Sequence, residues 1–366
     1  MKITQLLYGG LGGHGSVAFS LLKADETNEW HPEMGFFGIE PLLPTYAENC
    51  SLNSIPFKYF PGSSGRSFKA LIQIDRWLEE RRSDVVILHS PTLIMACLWN
   101  RWIRHVPLIV VEHQANALKR RSELLASLLA MLLADKIVIL TSAYAEELRN
   151  KLGNFYFDKK VVVIPNGIDT KLYSPFPKLL HSKRIIRMGM ASRFMDSKRQ
   201  NILVMMMLEL KKLQPEFKWS LSLAGSGETY GSIQRLVNAN GLEDDVELPG
   251  QLDERQLLKW YQSMDLYLHA SDGETLSTAI LQAMSMALPV IASDVAGIRN
   301  LLSVKPACGV LVDKSEPLNF AVEVLNLVND WSAATNLGRN GRQLAITIYD
   351  NRRMFDAYNK VIRSTL

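Results

Sequence analysis

Residues 265–300 read DLYLHASDGETLSTAILQAMSMALPVIASDVAGIRN, and this stretch decides the fold. The apolar run Leu266–Ala270 predicts a buried strand, and the polar residues Ser271–Glu274 predict a turn after it. Apolar residues then recur at helical spacing, which predicts a helix over 275–287, and Leu288–Ala292 predicts a second strand. Strand, loop, helix and strand in this order form a βαβ unit of an α/β fold, in which ligands bind at the carboxyl ends of the strands.

The start of the predicted helix is suited to binding a phosphate. The backbone N–H groups of Leu276, Ser277 and Thr278 are expected to lie in its first turn, with the positive end of the helix dipole behind them. Glu274 precedes the helix, and Gln282 lies eight residues further on. At 1.5 Å per residue this spacing is about 12 Å, enough for a diphosphate between a sugar and a ribose. The alternative is an ordinary helix cap followed by a buried amide.

This stretch resembles the donor-binding signature of the retaining family-4 glycosyltransferases, which have the GT-B fold of two Rossmann-like doubly wound domains facing a central cleft. Their pattern is Glu, seven residues, Glu, Ala-Met-Ala and a Gly-Pro-Val-Ile-Ala strand. The corresponding residues here are Glu274, Gln282–Ser285 and Leu288–Ala292. The chain departs at the second acid, which in the family accepts hydrogen bonds from the ribose hydroxyls. Gln282 can still accept through its carbonyl, but the charge is lost, which predicts weaker donor binding.

Length and composition predict two domains and no nucleic-acid partner. The chain has 366 residues, of which 47% are hydrophobic, so it is expected to be globular. A chain of this length is too long for one small hydrophobic core, so two domains are expected. A formal net charge of +4 is too small for a nucleic-acid surface. With the resemblance, the expected division is an acceptor-side domain, a linker, a donor domain and a helix that crosses back to the first domain, at 1–170, 171–184, 185–345 and 346–366.

The cysteines and the apolar segments predict a cytoplasmic protein, free or at the inner face of the plasma membrane. Cys50, Cys97 and Cys308 are far apart and lack metal-ligand spacing, which is typical of buried thiols in a reducing compartment. Met1–Leu7 predicts a first strand rather than a signal peptide. No apolar run reaches the roughly 18 residues that a membrane span needs.

A glycine-rich loop, Gly9–Gly15, lies between the predicted strand Ile3–Tyr8 and a helix. Such a loop lets backbone amides approach a phosphate, although its spacing is not a clean G-x-G-x-x-G. The family resemblance implies that Gly12 and Gly13 close over the donor diphosphate. The alternative is a turn that needs positive φ.

His113 ends another predicted strand, Leu108–His113. A histidine at a strand end can bind a sugar hydroxyl or a developing charge. The family has a similar histidine that contacts the donor sugar. The other elements expected in this half are a helix over Phe68–Arg81, an irregular region over 41–65 that is either acceptor-binding or a surface insertion, and strands at Met34–Ile39, Val85–His89, Lys136–Leu140 and Val161–Pro165.

Two basic segments adjoin apolar residues, at Lys119–Arg121 before a leucine-rich helix and at Arg101–Arg104. One interpretation is peripheral contact with an anionic membrane, which suits an enzyme with a lipid-linked acceptor. The other is a core helix whose basic end faces solvent.

Arg193 and Lys198 follow the predicted strand Ile185–Met190. Their charges can stabilise a departing nucleoside diphosphate, a task that other glycosyltransferases give to a metal held by Asp-x-Asp. The chain contains no Asp-x-Asp sequence, and the family carries the same Arg and Lys, so no metal and no cofactor are expected. The resemblance further implies that Gly225, after the strand Ser220–Ala224, passes near the diphosphate. The remaining expected elements are a strand at Val246–Gly250, whose end pairs with the base, and helices over 313–342 and 350–362.

The chain is therefore predicted to be a retaining glycosyltransferase that moves a hexose-type sugar from a nucleoside-diphosphate donor to a hydroxyl acceptor. The acceptor expected from the resemblance is a lipid-linked glycan in surface polysaccharide assembly. Glu274 and His113 would orient the sugar hydroxyls. The alternatives are an epimerase-like nucleotide-sugar enzyme, a nicotinamide-dependent oxidoreductase built on Gly9–Gly15, and a non-catalytic sugar-nucleotide binder.

Overall fold

The computed structural model describes residues 1–10, 13–62, 68–114, 119–176, 185–313 and 316–366. The chain divides into two compact units. The first comprises 1–167 together with 351–366, and the second comprises 168–350. Each unit is built on one parallel sheet, which confirms the predicted α/β class.

The first unit contains a seven-stranded sheet in the order β3-β2-β1-β4-β5-β6-β7. Its strands are short apolar runs, and β4 is buried along its whole length, as expected for strands covered by helices on both faces. The strands are β1 (Lys2–Tyr8), β2 (His31–Gly38), β3 (Phe57–Pro61), β4 (Val85–Leu88), β5 (Leu108–Glu112), β6 (Lys136–Ile139) and β7 (Val161–Val163).

Helices cover both faces of this sheet. Successive residues of β1 point to opposite faces, so that Leu6 packs with Trp77 and Met131 in one core while Leu7 packs with Phe36 in another. The helices before the second unit are α1 (Gly13–Lys23), α2 (Pro44–Leu52), α3 (Phe68–Arg81), α4 (Ile94–Trp102), α5 (Arg121–Leu133) and α6 (Ser142–Leu152).

The second unit contains a six-stranded sheet in the order β10-β9-β8-β11-β12-β13. Its strands are β8 (Ile185–Ala191), β9 (Lys218–Ala224), β10 (Val246–Gly250), β11 (Leu266–His269), β12 (Val290–Ser293) and β13 (Val310–Val312). Its helices are α7 (Gln200–Leu213), α8 (Tyr230–Ala239), α9 (Glu254–Ser263), α10 (Thr278–Ser285), α11 (Ala296–Leu302), α12 (Pro317–Asn329) and α13 (Trp331–Ile348).

The last helix, α14 (Asn351–Arg363), belongs to the first unit and contacts α1 there. The indole nitrogen of Trp30 donates to the side-chain oxygen of Asn359 at 2.6 Å. The ring of Trp30 also lies 4.8 Å from that of Phe355, measured between centroids. The strongly amphipathic sequence of α14 thus buries its apolar face in the first unit.

In each sheet the chain builds outward from one central pair of strands. The strand order reverses between β1 and β4 in the first sheet, and between β8 and β11 in the second. At such a switch point the loops at the carboxyl ends of the two strands diverge and leave a crevice, which is where ligands bind in open α/β sheets.

Two of the predicted elements differ from the structure. The region 41–65 is not irregular, because α2 and β3 lie within it. The helix predicted over 275–287 is shorter at both ends, since it runs from Thr278 to Ser285. Residues 168–176 belong to the second unit, where Arg342 donates to the backbone oxygens of Thr170 and Tyr173 at 2.8 and 2.9 Å, and the linker expected over 171–184 stays a prediction.

Candidate functional site

The switch point of the second sheet brings together two of the predicted site residues. Lys198 lies in the loop after β8 and Glu274 in the loop after β11, and these strands are neighbours. The ammonium of Lys198 donates directly to Oε1 of Glu274. Only 19% of the Lys198 side chain and 12% of the Glu274 side chain are exposed, so the ion pair is mostly shielded from solvent.

His269, the last residue of β11, completes this cluster. Its Nε2 lies 2.7 Å from Oε1 of Glu274. On the other side of the ring, Nδ1 lies 3.3 Å from the hydroxyl of Tyr267. Sequence reasoning missed His269, although it lies five residues before Glu274 at the end of a predicted strand.

The protonation states of this cluster follow from its contacts. Burial raises the pKa of Glu274, but the charge of Lys198 and the hydrogen bond from His269 more than offset this effect and lower the pKa to about 2. Burial lowers the pKa of His269, although Glu274 acts in the opposite direction. At neutral pH, Glu274 is therefore a carboxylate and His269 a neutral imidazole that donates to it through Nε2–H.

Backbone contacts fix the loops that carry these side chains. The carbonyl oxygen of Ser197 accepts from the N–H of Asp272 at 2.8 Å and from the hydroxyl of Ser271 at 3.2 Å. Gln200 donates through its side-chain nitrogen to the carbonyl of Arg193 at 2.9 Å. The loop after β8 is therefore held at its Arg193 end and its Lys198 end. For the side chain of Arg193, contact with a phosphate remains a prediction.

Gly225, predicted near a diphosphate, lies where the loop after β9 crosses the loop after β8. Its φ is +134°, and a Cβ placed there would come within 2.0 Å of the carbonyl oxygen of Ser192. Only glycine fits this close backbone approach. The geometry explains the glycine as a packing requirement, and a contact with phosphate stays a prediction.

The helix α10 begins later than predicted. Its N-cap is Ser277, whose side-chain oxygen accepts from the N–H of Ile280 at 3.5 Å. Leu276 and Ser277 therefore precede the helix, and the first turn starts with the N–H of Thr278. This turn still lies after β11, at the carboxyl edge of the sheet.

Gln282 lies on α10 and is half-buried. Its side-chain oxygen accepts from the hydroxyl of Tyr261 at 3.2 Å, and the same hydroxyl lies 3.0 Å from the carbonyl oxygen of Ala279. The oxygen that was expected to face a ribose is thus already turned towards Tyr261, and the amide nitrogen is the group left to meet a ligand.

A histidine cluster lies at the switch point of the first sheet. The predicted site residue His113 follows β5, and its Nε2 lies 3.0 Å from Nδ1 of His89, which follows β4. Their rings are stacked with centroids 5.3 Å apart. Nε2 of His14, near the start of α1, lies 3.1 Å from the carbonyl oxygen of Tyr8.

Burial keeps the two central rings of this cluster neutral. It lowers the pKa of His89 to about 3, with the nearby His14 adding to the effect. It also lowers the pKa of His113 well below its usual value. Sequence reasoning missed His14 and His89, because their proximity to His113 depends on the strand order, which places β4 between β1 and β5.

Of the two glycines predicted to close over a diphosphate, Gly12 and Gly13, only the second lies within the described residues. Gly12 lies outside the described residues. Gly13 is the first residue of α1, and its surroundings are likewise not described. The role expected for these glycines stays a prediction.

Two family profiles match the chain. The profile of the Glycosyltransferase Family 4 matches residues 13–172, and the profile "Glycosyl transferases group 1" matches residues 184–330. The curated relatives include D-inositol 3-phosphate glycosyltransferase from Paenarthrobacter aurescens, 27% identical over 56% of this chain and 52% of its own length. Phosphatidyl-myo-inositol mannosyltransferase from Mycobacterium leprae is 22% identical over 71% of this chain and 68% of its own length. The chain spans about half the length of the first curated relatives that it matches.

The fold has close matches among solved structures. The crystal structure of Anabaena HepE in complex with UDP-glucose superposes over 100% of both chains with a TM-score of 0.84 and 19% sequence identity. Two Rossmann-like units with this sheet topology therefore define a protein of the GT-B class. Together with the two profiles, this architecture shows that the chain belongs to glycosyltransferase family 4.

Proposed function

We propose that this chain transfers a hexose-type sugar from a nucleoside-diphosphate donor to a hydroxyl acceptor, with retention at the anomeric carbon and without a metal. The observation that carries the proposal is the Lys198–Glu274 ion pair at the switch point of the second sheet. The names of the curated relatives, a glycosyltransferase and a mannosyltransferase, support the reaction class. The complexes of Anabaena HepE with UDP and UDP-glucose support a uridine nucleotide as the first donor to test.

In the proposed reaction, cations and backbone amides hold the departing diphosphate. Lys198 and Arg193 supply positive charge, and the first turn of α10 supplies N–H groups and the positive end of its dipole. These groups stabilise the charge that grows on the diphosphate as the glycosidic bond breaks. No protein-bound metal is needed for this step.

The acceptor hydroxyl attacks the anomeric carbon from the face that the diphosphate leaves. The new C–O bond forms as the old one breaks, and the hydroxyl proton passes to an oxygen of the departing phosphate. Glu274 is a poor candidate for a covalent nucleophile or a general base, because two donors hold its carboxylate and its pKa is about 2. Its proposed task, like that of His113, is to bind hydroxyls of the donor sugar.

We infer that the acceptor is a lipid-linked glycan and that the first unit contacts an anionic membrane. Within the two basic segments, Lys119 is buried with Glu112 and Arg101 pairs with Asp135, whereas Arg121 is exposed at the start of α5. The supporting surface is instead the outer face of α4, which lies between α3 and α5. Among the described residues, no helix is long and apolar enough to cross a bilayer.

The outer face of α4 and the residue that follows the helix carry large apolar side chains, each more than half exposed: Met95, Trp99 and Trp102 on the helix, and Ile103 directly after it. Exposed cations lie on the neighbouring helices, including Arg76 on α3 and Arg121 on α5. Tryptophan prefers the membrane–water interface, and cations favour anionic headgroups. This combination is typical of a surface that binds a membrane without spanning it.

A ligand panel tests the proposed function. The full chain is heated with UDP, GDP, ADP, CMP or NAD, with and without EDTA, and the midpoint of unfolding is recorded. Stabilisation by one nucleoside diphosphate, unchanged by EDTA and lost in Lys198→Ala, is the expected result. Stabilisation by NAD alone would contradict the proposal. Product analysis with the matching nucleotide sugar then separates transfer to an acceptor from epimerisation, and an absence of turnover would indicate a binder.

A further inference from the structure

The histidine pair of the first unit is anchored by a buried glutamine. Gln5 lies on the central strand β1, and its side chain is fully shielded from solvent. Its amide oxygen lies 2.8 Å from Nε2 of His89. Gln5, His89 and His113 therefore form a continuous chain of hydrogen bonds that starts in the core of the sheet and ends at the carboxyl end of β5.

This chain determines which nitrogen of each ring carries a proton. A neutral imidazole has one N–H and one lone pair, and an amide oxygen can only accept. Nε2 of His89 must therefore donate to Gln5, which leaves Nδ1 of His89 as an acceptor. The proton between the two rings then belongs to Nε2 of His113. The remaining nitrogen of His113, Nδ1, keeps its lone pair.

Both rings must be neutral for this assignment, and their burial supports it. His89 is 3% exposed, and burial holds the pKa of both histidines below neutral pH. A second proton on either ring would add a charge beside another histidine. At neutral pH, each ring therefore carries a single N–H proton, either on Nδ1 or on Nε2.

Gln5 is poorly explained as a structural residue. Its side-chain nitrogen is buried and has no hydrogen-bond partner among the residues that the structure describes. A buried donor without a partner disfavours the folded state, and an apolar side chain of similar length would avoid this cost. The contact that the amide does make is the one to His89.

We propose that Gln5 and His89 are positioning residues that hold His113 in its Nε2–H tautomer, so that His113 offers Nδ1 as a hydrogen-bond acceptor. The tautomer itself is independent of the proposed function. Its use rests on that function, because Nδ1 of His113 would accept a hydrogen bond from a hydroxyl of the donor sugar. His113 would then discriminate against a sugar in which fluorine, which cannot donate, replaces that hydroxyl.

Nitrogen NMR on the full chain tests the tautomer directly. The protein is labelled with ¹⁵N-histidine, and the signals are assigned with His113→Phe and His89→Phe. Two-bond ¹H–¹⁵N correlations at neutral pH distinguish a nitrogen that carries a proton from one that does not. Both rings are expected to be Nε2–H tautomers. An Nδ1–H tautomer or a doubly protonated ring at His113 would overturn the inference.

Gln5→Met tests the origin of the tautomer, because methionine keeps the length of the side chain without the amide. The His113 signals are expected to shift towards a mixture of tautomers. The matched control is Thr4→Val, which removes a buried hydrogen bond to Ser83 from the same strand but does not touch the histidines. Unchanged signals in Gln5→Met would remove Gln5 from the proposal, and the wild-type spectrum decides the tautomer even if this variant fails to fold.

Binding separates this inference from the proposed function. Gln5→Met is expected to weaken UDP-glucose by the factor by which the Nε2–H tautomer of His113 is depopulated, about twofold for an even mixture, while UDP alone binds as before. If the tautomer is found as expected but the affinities for both ligands are unchanged, the sugar contact of His113 is wrong and the tautomer assignment stands. If neither ligand binds to the wild type, the donor proposal fails independently.

Discussion

The ionised state of Glu274 can be tested through the stability of the fold. Its folded-state pKa of about 2 lies below the ordinary value of 4.5, so the carboxylate stabilises the folded state above pH 4.5. This contribution is lost as the pH falls from 4.5 through 2, and it corresponds to about 3 kcal/mol at 1.36 kcal/mol per pKa unit. Urea unfolding at pH 6 and pH 3 should show a smaller difference between the two pH values for Glu274→Gln than for the wild type.

Lys198→Met provides the matched comparison, because it removes the charge that holds this pKa low. Both variants should therefore flatten the same part of the pH profile. An acid profile of Glu274→Gln identical to that of the wild type would show that Glu274 is not the group that titrates.

Gln282 is the residue at which this chain departs from its family, and Gln282→Glu tests what the departure costs. A carboxylate would accept stronger hydrogen bonds from the ribose hydroxyls than the amide does, because hydrogen bonds to a charged group contribute about 1.5–3 kcal/mol. We expect the Kd for UDP, measured by calorimetry, to fall about tenfold or more. Gln282→Leu should weaken binding. Equal affinity in all three proteins would place Gln282 away from the ribose.

Some residues of the two sites could be predicted from the sequence, and others could not. Lys198 and Glu274 belong to a pattern with defined spacing, and the structure brings them into contact. His269 and His89 carry no such pattern, since an isolated histidine at a strand end has many explanations. Their roles become visible only when the strand order places β11 beside β8 and β4 beside β1.

At the level of elements, the strands were predictable where they are apolar runs bounded by turns, as in β4 and β11. The elements α2 and β3 were missed for a physical reason. In α2 only Tyr46 and Cys50 are buried, and in the edge strand β3 only Phe60 is, so neither segment shows the periodicity that identifies it. The start of α10 was misplaced because several polar residues precede it and Ser277, the last of them, is the cap.

The helix α4 carries the element-scale prediction. Trp99→Ser with Trp102→Ser should reduce binding to vesicles that contain phosphatidylglycerol about tenfold, because each exposed indole would lose its place at the interface. Co-sedimentation measures the bound fraction. Leu52→Ser is the control, since Leu52 is an even more exposed apolar residue of the same unit and lies on α2. Equal loss in both proteins, or no binding by the wild type, would contradict membrane contact through α4.

At the scale of the whole molecule, the first unit is formed by two segments that lie at opposite ends of the sequence. The first unit is completed by the last residues of the chain, 351–366. The helix α14 buries Met354, Phe355, Tyr358 and Ile362 within that unit, and its Asn359 bonds to Trp30. No local pattern in residues 1–167 reveals that this half needs a distant helix. The family resemblance predicted the return of the chain.

Truncation after Asp350 tests this dependence. Burial of four large apolar side chains stabilises the first unit by several kcal/mol, at about 1.5–3 kcal/mol for each fully buried side chain. Calorimetry should therefore show the transition of the first unit lost or moved to a much lower temperature. The second unit, 168–350, keeps all of its strands and should still unfold cooperatively. A matched truncation after Arg363 leaves α14 intact and should behave as the full chain does. If the truncation after Asp350 instead shifted the transition of the second unit and spared the first, α14 would stabilise a different part of the protein from the one that the structure shows.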